Sequence, residues 1–390
     1  MRRLALLLAL PVSTAALAGV LPEERADALY HRYDGGGIVI QGPSVLVRKN
    51  IGDKLSLSAN YYEDLISSAS IDVKLSASPY QEKRQQKSFS ADYLHGKSTY
   101  SAGIINSTEP DYKSNTSFYS ISQDMFGDLT TLTLSYKRGW DRVYADVKLN
   151  GQIVNDPNFN DGAGFAATDH EGYTLALSQI LTRNLILNVN YEVLTDEGYL
   201  ASPYRKIRYS DGAGGFTLAD QVYPHTRTSN AASGEIKYYL PYRAALSGQY
   251  RFFSDTWGII AHTLQVGYTH PAWKRWIFDG SFRYYRQSAA DFYSDLYPRA
   301  NFANFMARDR ELAAFSSYTL GAGASYDFHM PHAPWISKST ANLRLDHLMI
   351  DYQNYRNALL TDPAHGVPAG TEPLYKLNAN VIQVFVSIWF

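Results

Sequence analysis

Apolar and polar residues alternate with a period of two along most of this chain. Leu185, Leu187, Val189, Tyr191 and Val193 stand against Asn188, Asn190 and Glu192, and Leu132, Leu134 and Tyr136 against Thr131, Thr133, Ser135 and Lys137. Leu55, Leu57, Ala59 and Tyr61 repeat the pattern, as do Tyr318, Leu320, Ala322, Ala324 and Tyr326. Successive strand side chains point to opposite faces, so the pattern predicts two-faced strands from about residue 52 onward. The runs are about ten to fifteen residues long, well beyond the five or six usual in globular sheets. One apolar and one wet face over that length predicts an all-β chain: a single antiparallel transmembrane β-barrel with lipid outside and water inside.

Connections of two lengths separate these strands. Short ones fall near 50–53, 95–97, 126–128, 182–184 and 241–242, and long ones near 66–83, 139–169, 196–225, 289–311 and 353–374, in nearly strict alternation. Barrels of the outer membrane have short periplasmic turns and long extracellular loops, which assigns the short set inside and the long set outside. The count is about fourteen to sixteen strands, and even if both ends are periplasmic. Residues 19–51 are left with two readings: a plug in the lumen, or wall, with 38–48 as a first strand. Within them Ala26, Leu29, Tyr30 and Tyr33 fall at helical spacing, predicting one short amphipathic helix ended by Gly35-Gly36-Gly37. Residues 52–390 make the barrel, and no linker marks a second domain.

The ends fit an exported barrel. Arg2 and Arg3 precede an apolar run from Leu4 to Leu10, and Ala16-Leu17-Ala18 offers a small-x-small site, which predicts a signal peptide over 1–18. The last strand carries Val384, Val386, Ile388 and Phe390 on one parity. An apolar strand with a free edge is an aggregation hazard, and closing a barrel removes the edge. Its expected partner is the strand beginning near Lys54, or else 38–48. Val386, Ile388 and Phe390 also resemble the C-terminal sorting signal that the barrel assembly machinery reads, although Phe385 stands where that signal often has glycine.

Composition narrows the chemistry. The 390 residues include no cysteine, which excludes disulfides, thiolate metal sites and covalently attached c-type haem. Mean hydropathy is −0.29, and beyond the leader no apolar stretch is long enough for a membrane helix. The 31 tyrosines fit interfacial girdles better than a platform for stacking bases or sugars. A net charge of −1 gives no electrostatic case for nucleic acid.

Several segments together resemble domain-of-unknown-function family 3570, a family of uncharacterised bacterial outer-membrane proteins. They are Gly42-Pro43-Ser44, the run Ser67 to Val73, Asp124-Met125-Phe126-Gly127-Asp128, Val222-Tyr223-Pro224, and Tyr239-Leu240-Pro241-Tyr242-Arg243. Asp255-Thr256-Trp257-Gly258-Ile259, the run Arg283 to Tyr293, and Ala307 to Leu312 complete the set. The resemblance implies a barrel in outer-membrane lipid but no substrate or reaction. It also points to a periplasmic redox or flavin-linked partner.

By parity, Lys137, Glu192, Glu235, Lys237, Arg251, Asp279, Arg283, Asp327, Arg344 and Asp346 face the lumen. Such charges could set ionic selectivity, and a salt-bridge network filling a wet interior accounts for them equally well. Arg251, Asp279 and Arg283 share parity on successive strands and are the first candidates for a constriction. The segment after Arg283 is dense in aromatic and charged residues. It predicts an ordered loop folded into the lumen, with Asp291, Arg308 and Asp309 pinned to charges of the wall.

His262 with Ser254 and Asp255 suggests a nucleophilic triad, but parity puts His262 with Ile260, Leu264 and Val266 on the lipid face. His329 and His332 around Met330 suggest metal ligands, yet Pro331, Pro334 and Trp335 make a turn with an interfacial anchor the simpler reading. No catalytic, cofactor or metal residue is therefore assigned. The sequence supports a non-enzymatic channel or envelope conduit of unknown substrate. The alternative is a scaffold anchoring a redox partner, and a barrel-borne lipid hydrolase ranks below both.

Overall fold

The protein is described by a computed structural model covering residues 20–68, 70–76, 80–144, 148–149, 152–153, 166–331 and 333–390, so the leader expected over 1–18 lies outside the described residues. The wall begins with β1 (Arg25–Gly35), β2 (Ile38–Ile51), β3 (Leu55–Ser68), β4 (Tyr80–His95), β5 (Ser98–Glu109), β6 (Tyr112–Met125) and β7 (Thr130–Val143). A small hairpin, β8 (Lys148–Leu149) and β9 (Gln152–Ile153), precedes the wall strands β10 (Ala166–Thr182) and β11 (Leu185–Gly198). A second hairpin, β12 (Lys206–Ser210) and β13 (Phe216–Asp220), precedes β14 (Thr226–Tyr239), β15 (Ala245–Asp255), β16 (Ile260–Ala272) and β17 (Trp276–Gln287). The wall ends with β18 (Phe315–Phe328), β19 (Lys338–Arg356) and β20 (Leu374–Trp389). Leaving out the two hairpins, 16 strands close one antiparallel barrel.

Closure is made by β20 against β1, from Arg25 opposite Trp389 to Gly35 opposite Ala379. The partner is thus one strand before 38–48 and two before the strand beginning near Lys54. Residues 25–51 are two strands of wall, and no helix forms over 22–33. The spacing that suggested a helix also reads with period two: Asp27, Leu29, His31 and Tyr33 fall on the lumen face. Gly36 and Gly37, with φ of 59° and 78°, form the two-residue turn whose twist suits a hairpin. They join two strands rather than ending a helix.

Register then sets the faces of every strand. Val45, Phe89, Ile104, Leu134, Leu175, Val189, Leu264 and Leu345 are exposed to the lipid side, and the alternate rows turn inward. At the end that holds both termini the connections are short. Trp273, Trp335, Tyr242 and Phe126 are exposed there as an interfacial girdle. Phe390 is tied into it, 6.0 Å from Trp335 by ring centroids and 5.0 Å beneath the Lys49 ammonium.

At the opposite, outer end the connections 36–37, 110–111 and 256–259 are also short, so the alternation of lengths is looser than expected. The long ones are 69–79, which includes helix α1 (Ile71–Ser76), then 144–165, 199–225, 288–314 and 357–373. The last three fold together over the outer mouth of the barrel.

Candidate functional site

The outer ends of the wall are apolar on the inner face too. Tyr33, Ile38, Ile40, Tyr352, Leu377 and Ala379 all turn inward and are buried, and they pack with Ala313 and Tyr293 of the 288–314 loop. A second cluster joins three connections: Ala201 and Tyr223, Trp257 and Ile259, and Ala290, Ala307 and Leu312. Ile207 of β12 packs with Tyr297 and Met306 in a third. Burial of apolar surface on both sides of a strand end requires a covering layer, and the loops supply it. The layer spans the mouth. At one side the Tyr204 hydroxyl donates to Asp111 in the β5–β6 turn, and at the other Gln287 of β17 donates to the carbonyls of Glu311 and Ala313, at 2.9 and 2.8 Å. The Tyr293 hydroxyl reaches the Asn354 carbonyl at 3.0 Å.

The buried charges of this cap pair mainly with one another. Arg208, fully buried on β12, donates to both Glu372 and Asp295, with 3.1 Å to Glu372 Oε2 and 2.8 Å from its Nε to the Asp295 carbonyl. Arg308 reaches Asp295 at 3.0 Å and lies 4.6 Å over the Tyr355 ring. Arg205 pairs with Glu311 and, at 3.2 Å, with Asp309, which also accepts from Gln221 at 2.9 Å and Tyr223 at 2.5 Å. Burial opposes ionisation of Glu372, and donation from Arg208 and Thr361 outweighs it, holding its carboxyl down at about 2. Glu311 is also penalised by burial, and the Arg205 and Arg310 guanidiniums hold it far below the ordinary carboxylate range.

Below the cap the lumen is polar and only partly paired. Glu192 is shared by Lys137 at 3.3 Å and Arg251 at 3.8 Å. Arg283, two strands along from Arg251, has no ion pair or hydrogen bond among the described residues, and its Nε is buried without a partner. Arg344 instead binds Asp279 and Asp346, both at 2.8 Å, and Ser281 at 2.9 Å. Gly321 and Gly323 lie where any Cβ would collide with that cluster, and Gly172 does the same for the Lys137 chain. Glycine here makes room for inward charge. Glu235 accepts from Asn188 at 3.1 Å and pairs with Lys237 at 3.3 Å. Asp327 sits near the inner rim opposite Thr340.

All ten lining residues named from parity thus share the inward face, but they do not form one ring. Arg251 and Arg283 belong to a basic wall with Lys137, whereas Asp279 is engaged by Arg344. The 288–314 loop does fold into the mouth, and among the described residues Asp309 and Arg308 find ion-pair partners in the loops themselves. Asp309 meets Arg205, Gln221 and Tyr223 of the neighbouring loop, and Arg308 meets Asp295 of its own. Asp291 is held through its amide, which donates to the Trp257 carbonyl at 2.8 Å. The physical reason is that charges within and between the loops neutralise one another in the dry layer, out of reach of the wet wall.

His262 faces lipid, accepting or donating at 2.7 Å to the Tyr250 hydroxyl. Ser254 shares that outer face while Asp255 turns inward to bind Arg227 at 2.7 Å, so the three make no triad. His332 lies outside the described residues, and among those described no group of three metal-ligating side chains occurs. Sequence reasoning missed two inward histidines: His31, 2.7 Å from Asp64, and His170, held between Asp196 at 2.6 Å and Asp141 at 3.0 Å. Parity gives no signal for these pairs, because 22–33 reads as a helix and Asp141 and Asp196 fall in expected long connections; pairing across strands also needs the register.

Residues 71–355 match the profile of a family described as "Protein of unknown function (DUF3570)". No curated protein sequence matches the chain significantly. Among solved structures, a bacterial polysaccharide outer membrane secretin aligns with a TM-score of 0.50 at 8% identity, over 95% of this chain and 100% of that one. Pseudomonas aeruginosa OpdK with vanillate gives 0.43 at 9% identity, over 95% and 100%. A Pseudomonas aeruginosa FadL homologue gives 0.41 at 11% identity, over 95% and 91%. At these identities the likeness is one of fold: an outer-membrane β-barrel.

Proposed function

The chain belongs to the DUF3570 family, and from that premise we propose that it is an outer-membrane channel with a closed resting cap and a lumen that favours small anionic solutes. The observation that carries this reading is the contrast in one wall. Lys137 and Arg251 share one lumen carboxylate, Glu192, and Arg283 on the same wall has none among the described residues. An unpaired guanidinium facing a wet interior is a standing site for a carboxylate or phosphate. The cap, stitched by Arg208, Glu372 and Asp295, keeps the path shut until the outer loops move.

Planar-bilayer recording of the folded protein tests both parts. The wild type is expected to be nearly silent and an Arg208→Met variant to conduct, with a reversal potential in a salt gradient that reports anion preference. Silence of both proteins, or cation preference in the conducting one, overturns the reading.

A further inference from the structure

The lipid-facing surface is electrically lopsided at its outer end. Four neighbouring strands, β4 to β7, present the exposed side chains Lys83, Lys87, Lys113, Arg138 and Arg142 outward, and no outward carboxylate. On the far side, β14 to β18 present one charged residue outward, Arg286.

Register places Lys83, Lys87, Lys113 and Arg142 above the outward row of Phe89 and Ile104, and Arg138 at the end of that row. Lys87, Asn106 and Asn115 lie side by side, and the row beneath them holds Phe89 and Ile104, both exposed to lipid. Lys83 is paired with Glu63 at 2.9 Å, and Lys113 lies 5.3 Å over the Tyr144 ring. Lys87 and Arg138 have no ion pair or hydrogen bond among the described residues. Glu171 stands opposite Arg138 in the register but is turned to the hydroxyls of Tyr136 and Tyr173, at 3.5 and 3.3 Å.

Cations at the edge of the hydrocarbon are costly unless an anion meets them there. In an outer-membrane barrel the group at that height is a lipid headgroup, so the anion that fits is a phosphate fixed to acyl chains. We propose that this face of β4 to β7 is a docking surface for a phosphorylated glycolipid of the outer leaflet. Its phosphates lie among Lys87, Lys113 and Arg138, and its acyl chains run down over Phe89 and Ile104. Free phosphate has nothing to set against that apolar row. The proposal concerns the outside of the wall and is independent of the channel reading.

Native mass spectrometry of the full-length barrel in a neutral detergent tests it, with bisphosphorylated lipid A, the same lipid stripped of both phosphates, and phosphatidylethanolamine as probes. Lipid A is expected to be retained about tenfold better than the dephosphorylated lipid, since each basic residue contributes modestly and several act together. Combining Lys87→Gln, Lys113→Gln and Arg138→Gln is expected to erase that preference, and Arg286→Gln to leave it intact. Should the triple variant fail to fold, each single variant is expected to lower the preference about two- to fivefold. Equal retention of the dephosphorylated lipid, or wild-type preference in the triple or in all three single variants, overturns the proposal.

Discussion

The cap and the lumen beneath it use the same residue types to different ends. In the cap, Arg208, Glu372 and Asp295 saturate one another away from water. In the lumen, Arg251 stands 3.8 Å from a carboxylate it shares with Lys137, and Arg283 has none among the described residues. Removing one partner from a buried pair strands the other and costs about 3–5 kcal/mol. A pair in contact with water is worth about 0–1 kcal/mol. The cap's charges therefore hold a shape, and those of the lumen remain available to a solute.

The largest break in that comparison comes from Arg208→Met, which strands Glu372 in a dry layer. The cap is expected to lose about 3–5 kcal/mol of local stability. Limited proteolysis of intact cells would show this as cleavage in 199–225 or 357–373 while the barrel stays heat-resistant. Acid does the same more gradually. The folded-state carboxyls of Glu372 and Glu311 lie below their ordinary value of 4.5, so their contribution is complete above about pH 4.5 and is lost as pH falls toward 2. Loop cleavage by an acid-stable protease is expected to stay flat from pH 7 to about 5 and to rise below that.

Charge reversal in the lumen sharpens the other half. Arg251→Glu with Arg283→Glu, placed in the Arg208→Met background, is expected to switch ion preference from anions to cations. It should change thermal stability by no more than about 1 kcal/mol, because neither guanidinium is in a dry pair. The smallest effect belongs to Ser254→Ala with His262→Ala. Those residues make no catalytic geometry, so conductance and any lipid hydrolysis by the folded protein are expected to be unchanged.

How much of this was legible in the sequence depended on whether a property is local. The period-two rows of β7, β11 and β18 could be read directly, because alternation is a property of a single strand. So could the inward face of Arg251, Arg283 and Arg344. The N-terminal strand was obscured by a coincidence: Ala26, Leu29, Tyr30 and Tyr33 satisfy a helical period, and only the partner strand decides between periods. The cap was half visible. Its loops are long and aromatic, and Ile38-Val39-Ile40 is apolar on both faces, which marks a strand end covered from both sides. The pairs themselves were invisible, since Arg208 and Glu372 lie 164 residues apart and no spacing rule joins them.

The central claim is that a polar path runs inside the wall and that the cap shuts it. Because the chain has no cysteine, one introduced thiol reports its own position without background. Gln265 faces the lumen between Gln249 and Arg283, and Leu264 faces lipid one residue away. The decisive measurement is the current through Arg208→Met carrying Gln265→Cys, before and after a charged, thiol-specific reagent. A stepwise fall in current is expected there and none with Leu264→Cys. An unchanged current at Gln265→Cys, with the thiol shown to be modified, would place the conducting path elsewhere and contradict the account.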